Sequence, residues 1–169
     1  MSAPYERLGI PGTSRRFSLD APAHPRSTFE RQLRDIEAGS AALNLSCDSI
    51  HLAAEIAAFE PDLNDEQRIA LILLIVISLA ALQEGSTRFP VTGPESVEPI
   101  RRLLNPLCGE SFGADGVERM RISIEQILSS GSATGVIGAN ANDYKPLIYL
   151  RPFIYQHRTL SAEIVHANR

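Results

Sequence analysis

The chain has 169 residues, the size of one compact domain. Its 16 Lys and Arg against 20 Asp and Glu leave a formal charge of −4, which argues against an autonomous polyanion binder whose affinity would come from neutralising phosphates. With 44% hydrophobic and 21% charged residues the composition is that of an ordinary globular protein, neither disordered nor fibrous.

Residues 1–26 combine Pro4, Pro11, Pro22 and Pro25 with Gly9, Gly12 and scattered Arg. They offer no helical or strand period and read as a flexible arm, so residues 27–169 are expected to make the domain. Ser27 and Glu30 have capping-box spacing, and Phe29, Leu33 and Ile36 recur at helical spacing, predicting a helix over about 28–38 that Gly39 stops. Asp48 is placed to cap a second helix running to about Phe59, with Pro61 beyond it. Asn64 and Gln67 form a second capping box, and Asp65 and Glu66 set negative charge on the positive end of the helix dipole. From Ile69 to Leu82 this third helix is apolar nearly all round, so it is expected to be wrapped by other elements; at 14 residues the run is too short to span a bilayer. Gly85 closes it.

Downstream, Arg88–Val91 fits a short strand that Pro90 confines to a sheet edge. Helices are predicted over Val97–Leu104 and Gly116–Ser129; in the second, Val117, Met120, Ile124, Ile127 and Leu128 trace one face. Gly131–Asp143, rich in Gly, Ser and Asn, reads as a mobile loop. Pro146–Tyr149 and Phe153–Tyr155 have the content of a small hairpin, and a last helix is expected from near Thr159. The predicted fold class is α+β, predominantly helical: a central buried helix surrounded by helices, with a small antiparallel sheet.

Charge is uneven. Residues 29–84 carry 10 acids and 3 bases, whereas residues 143–169 carry 2 acids and 4 bases. Solvated helix faces account for this simply, and the same asymmetry can orient a partner.

Few residues suggest chemistry. Cys47 and His51 lie four apart, where an imidazole can activate a thiol, so a small cytosolic thiol or hydrolytic enzyme is one reading. The simpler expectation is a buried Cys and a surface His. His24, His51, His157 and His166 are too scattered for a zinc site. Neither the glycines at 131, 135 and 138 nor Gly9-Ile10-Pro11-Gly12-Thr13-Ser14 match a phosphate loop, and Ser132 is one place off a nucleophile elbow. Asp62, Asp65 and Glu66 could serve as an acid–base pair, but a helix start explains them. Arg101, Arg102, Arg119 and Arg121 are expected to be neutralised by acids at 95, 98, 110 and 118. Two cysteines make no disulfide framework, and the N-terminus shows no secretory pattern, which makes the cytoplasm the expected compartment.

The order of features resembles a known family. Ala70–Leu82, then Gln83-Glu84-Gly85-Ser86 and Phe89-Pro90-Val91, resembles the apolar helix, Glu-Gly pair and short strand in the N-terminal domain of the RecD subunit (exodeoxyribonuclease V alpha) of the bacterial RecBCD helicase-nuclease. That family often has His where this chain has Ser86. Pro146-Leu147-Ile148 and Ile154-Tyr155-Gln156-His157-Arg158, with Glu163 five residues on, resemble its Pro-Leu-Ile segment, Leu-Tyr-Leu-x-Arg strand and following Glu. The likeness spans about residues 48–169 and rests on apolar patterns without catalytic fingerprints.

The resemblance implies a non-catalytic docking domain that places a DNA helicase motor against a RecC-like partner in double-strand break repair. The implied motor would hold ATP and magnesium through its own Walker A loop, so no cofactor or metal site is expected in these residues, and DNA is reached only through the full complex. The family-motif positions are Glu84, Gly85, Tyr155, Arg158 and Glu163. For the last three, the expectation is that the ring packs in the core while Arg158 and Glu163 tie strand to final helix. A free-standing interaction domain is the further alternative; a phosphate loop encoded just beyond Arg169 would distinguish the helicase reading.

Overall fold

A computed structural model describes residues 26–157. Its centre is set by the most apolar stretch of the chain. Asn64 and Gln67 reciprocally cap the start of a helix over Asp65–Gln83, satisfying backbone donors that helix geometry leaves without partners. With Ile69–Ser78 all buried, this helix (α3) has no solvent stripe and must be covered from several sides. The covering helices are α1 (Thr28–Ser40), α2 (Cys47–Ala57), α4 (Val97–Leu104) and α5 (Gly116–Ser130), each in contact with α3. They contribute Ile36, Ile50, Ile100, Leu103, Met120 and Ile124 to one continuous hydrophobic core. Among the described residues no helix is long and apolar enough to cross a membrane.

A small sheet closes the remaining side. Its strands are β1 (Arg88–Pro90), β2 (Ile137–Gly138), β3 (Leu147–Leu150) and β4 (Phe153–Gln156), in the order β1-β4-β3-β2. The β3–β4 hairpin pairs Ile148 with Tyr155, and β1 lies antiparallel to β4 with Arg88 opposite Tyr155 and Phe89 opposite Ile154. Phe89 and Ile154 are buried, on the side where β1 and β4 meet α3. As Pro90 requires, β1 is an edge strand. The fold is thus the expected predominantly helical α+β arrangement around a central buried helix.

Four local expectations are corrected. The sheet is mixed and not wholly antiparallel, because β2 runs parallel to β3 with Ile137 opposite Leu147. That strand arises from the segment read as a mobile loop. Ala133 and Val136 are buried there, the Val136 amide donates to Glu60 Oε1 at 3.0 Å, and the Asp143 carboxylate accepts from the Ala139 and Asn140 amides at 2.7 and 2.8 Å. Its Gly, Ser and Asn residues serve tight turns between anchored points.

Gly39 does not stop α1. The helix runs through it to Ser40, a 3-10 turn follows over Ala41–Leu43, and Asn44 ends the segment in the left-handed region at φ +56°. Gly39 is needed for packing: a Cβ there would lie 1.8 Å from the Pro106 carbonyl oxygen. Finally, Asp48 is not the cap of α2. Ser46 holds that place, without a side-chain bond to the backbone, and Asp48 lies in the first turn, where its charge favours the helix dipole.

The expected arm falls outside the described residues except for Arg26, and so does the expected helix from Thr159.

Candidate functional site

Glu84 and Gly85 form the C-terminal turn of α3. Gly85 adopts φ +87°, its amide donates to the Leu82 carbonyl, and the Ser86 amide donates to the Ala81 carbonyl, both at 2.9 Å. This is a Schellman closure, which favours glycine at the left-handed position and turns the chain back toward β1. Glu84 is the helix cap residue, and Arg102 of α4 donates to both its carboxylate oxygens at 2.9 and 2.8 Å. The Arg102 hydrogen bonds and charge hold the Glu84 carboxyl below the usual carboxylate range, against a smaller opposing effect of burial. The pair fixes the end of α3 to α4.

Tyr155 sits at the middle of the sheet, between Arg88 of β1 and Ile148 of β3. Its ring is half-buried and does not pack in the core as expected. The reason is strand alternation: Ile154 takes the position toward α3, so Phe153 and Tyr155 share the opposite face with Ile148, which is buried there. There the Arg88 guanidinium lies over the Phe153 ring, 4.6 Å from its centroid. The structure therefore brings together Tyr155 and the strand that follows Glu84 and Gly85. Arg158 and Glu163 lie outside the described residues.

Cys47 and His51 occupy the first turn of α2 and the turn after it. Both are exposed, so the expected burial of Cys47 is corrected. His51 Nε2 faces α1, 2.9 Å from Glu37 Oε1. The buried-thiol description fits Cys108 better: it is half-buried, and desolvation pushes its thiol up to about 12 despite the opposing charge of Arg119.

The arginines are locally neutralised, by Glu98 and Glu118 as expected but otherwise by Glu84, Asp115 and Glu125 and not by the acids at 95 and 110. Arg101 bonds both Glu98 and Glu118, Arg121 bonds Glu118 and Glu125, and Arg119 bonds Asp115 and the Phe112 carbonyl. Hydrogen bonds from Arg121 and then Arg101 hold Glu118 down to about 2. Of the carboxylates at the α3 start, Glu66 turns outward to α5, where it accepts from Ser123 at 3.1 Å. Among the described residues no three His, Cys, Asp or Glu are grouped to hold a metal ion. His24 and His166 fall outside them.

Two features escaped sequence reasoning. One is a pair of carboxylates that fasten helices to distant loops: Asp35 accepts from the Ser111 amide and hydroxyl, and Glu60 from the Val136 amide. The only hint was indirect, in glycines 109 and 135, where an added Cβ would meet these same carboxylates. The other is an open groove of about 490 Å³, walled by Leu52 and Ile56 of α2, Ile75 and Leu79 of α3, and Tyr144 and His157. Its rim is unusually apolar for surface, with Leu52 51% and Tyr144 83% exposed. The Tyr144 ring lies 5.4 Å from that of His157, whose Nε2 is 3.1 Å from the Ala141 carbonyl.

Comparison with known proteins returns no counterpart: no family model matches the sequence, no curated protein matches it, and no solved structure matches the fold.

Proposed function

We propose that this chain is a non-catalytic assembly domain of the RecD type, one that docks a helicase motor onto a RecC-like subunit in double-strand break repair. The observation that carries the reading is the pairing of β1 with β4. The likeness rests on two stretches of sequence more than fifty residues apart, one from α3 through Glu84-Gly85 to Val91, the other from Pro146 to Arg158. In the fold they become adjacent strands, with Arg88 opposite Tyr155, so that the separate motifs share one structural unit.

On the sheet face away from α3, exposed Arg88 lies beside half-buried Phe153 and Tyr155, and Arg and aromatic side chains are enriched at protein interfaces. The output of such a domain is positioning. ATP, magnesium and DNA belong to the motor and the assembled complex, and the cytoplasm is the compartment this role requires.

Titrating the purified chain against a RecC-like subunit at low and high salt tests the proposal. Association is expected, weaker at high salt because screening removes charge guidance, and weaker again for Tyr155→Ala. No association at either salt, or ATPase or nuclease activity intrinsic to the chain, refutes it.

A further inference from the structure

Helix α2 leaves an apolar strip uncovered. Its Ile50, Ala53 and Ala57 are buried in the core, whereas Leu52 is 51% exposed and Ile56, one turn on, is half-buried. The chain stays wound past the helix end, where the Phe59 amide donates to the Ile56 carbonyl at 3.1 Å, and Phe59 is 74% exposed. Beside Leu52 and Ile56 the surface continues into the open groove over Ile75, Leu79 and Leu147, with Tyr144 on the far rim. Water against so much aliphatic and aromatic surface is unfavourable, and an apolar patch of this kind marks an interaction site. Leu52, Ile56 and Phe59 recur at i, i+4 and i+7 over about 10 Å, the spacing that receives one face of an amphipathic helix.

The charges along the strip select the helix it receives. On α2, at about 100° per residue, Asp48 and Glu55 fall within roughly 60° of Leu52, both on the side away from Ile56. Asp62 follows just beyond the helix end. All three are exposed, and among the described residues none of them has an ion-pair partner, whereas the acids around Arg101, Arg102, Arg119 and Arg121 are matched. An unmatched acidic edge beside an apolar strip complements Lys or Arg flanking an apolar stripe, and it repels anionic lipid and nucleic acid. Lys145, next to Tyr144 on the opposite rim, has the other sign and penalises a partner with bases on both flanks.

We infer that this strip is the docking site of a partner's amphipathic helix, whose apolar stripe seats on Leu52, Ile56 and Phe59 and whose Lys or Arg residues line only the flank facing Asp48 and Glu55. The strip is distinct from the sheet face bearing Arg88 and Tyr155, and its docking role stands independently of the assembly role proposed above.

A displayed library of helical peptides, selected on the whole chain, tests this. Apolar residues are fixed at i, i+3, i+4 and i+7, and both flanks are randomised over acidic, neutral and basic residues. Selection is expected to enrich Lys and Arg on one flank only. The enriched peptides should bind the Leu52→Asp variant roughly tenfold more weakly, a substitution that the exposure of Leu52 lets the fold accept. Glu55→Lys should weaken them several-fold at low salt, and exchanging the peptide's bases for Glu should restore binding to that variant. Glu95→Lys, an equal charge change at an exposed position before α4, should leave the affinity unchanged. No enrichment, enrichment of neutral or acidic flanks or of bases on both, or equal binding to Leu52→Asp overturns the inference. So does a dimer of the free chain that Leu52→Asp dissolves, since a second copy would then be the occupant.

Discussion

Replacing Gly39 with alanine distinguishes a packing glycine from a helix-ending one, because the two readings predict opposite signs. Inside a helix with ordinary backbone angles, Gly→Ala is worth about 1 kcal/mol of added stability, from lost chain entropy in the unfolded state. In this fold the new methyl group would sit 1.8 Å from the Pro106 carbonyl oxygen, 2.7 Å from its carbonyl carbon and 3.0 Å from Leu107 Cα. All three are backbone atoms, so no rotamer change relieves the contact. Restoring van der Waals separation requires α1 and the segment after α4 to part by roughly 1.5 Å, which opens the packing around Ile36 and Leu107 as well. Overpacking of this kind costs about 1–3 kcal/mol, with backbone clashes at the upper end. The net expectation is destabilisation by about 1–2 kcal/mol, read in urea denaturation as a midpoint lowered by roughly 0.5–1 M at unchanged slope. Gly131→Ala is the control. Its backbone is left-handed at φ +64° with nothing within 4 Å of the added Cβ, so about 1 kcal/mol of local backbone strain is expected and no loosening of the core. A Gly39→Ala protein more stable than the parent would refute the close approach of α1 to Pro106.

Leu73→Ala, at a fully buried position on α3, should cost about 2–5 kcal/mol in the same urea assay, and a loss under about 1 kcal/mol would contradict the wrapping of α3 on all sides. Glu118 is held down to about 2 in the folded chain against 4.5 ordinarily, so its contribution is complete above pH 4.5 and disappears as pH falls toward 2. Because that carboxylate is 40% exposed the effect is modest; Glu118→Gln should flatten the acid limb of the urea-midpoint profile measurably, and an unchanged limb would count against the Arg101–Glu118–Arg121 network. Cys108 titrates in the opposite sense. Unfolded chains ionise this thiol near 9 while the fold retains its proton to about 12, so its contribution fades as pH rises from 9. At a pH of about 8 an alkylating reagent followed by mass spectrometry should modify exposed Cys47 quickly and Cys108 only on unfolding; equal rates would refute the burial assigned to Cys108.

What could be read from the chain in advance was what local physics decides. The two capping boxes, at Ser27–Glu30 and Asn64–Gln67, form as their spacing predicts, since each needs only residues three apart. The all-round apolarity of Ile69–Ser78 announced a central helix because no other solution hides every face. The Schellman turn at Gly85 and the hairpin over Leu147–Gln156 are likewise short-range. Gly39 was misread because glycine ends helices and also permits close approach, and only the position of Pro106 decides between them. The parallel strand at Ile137 was invisible because its order comes from Glu60, 76 residues away from Val136, and from β3. Tyr155 was assigned to the core from its type, whereas the parity of β4 gives that place to Ile154. The groove has no sequence signature, since its walls come from four separate segments.

The wholly apolar circumference of α3 has a consequence for synthesis. By the time Gln83 has been joined to the growing chain, α1 and α2 are available as cover, yet α5 and β4 are still to be made, the latter about 70 residues later. At translation rates of about 5–20 residues per second, one flank of this helix stays bare for roughly 4–14 s. A nascent chain stalled in that interval would carry a sticky aliphatic rod with nowhere to hide. The ribosome-bound protein should therefore depend on chaperones most between the emergence of α3 and that of the hairpin.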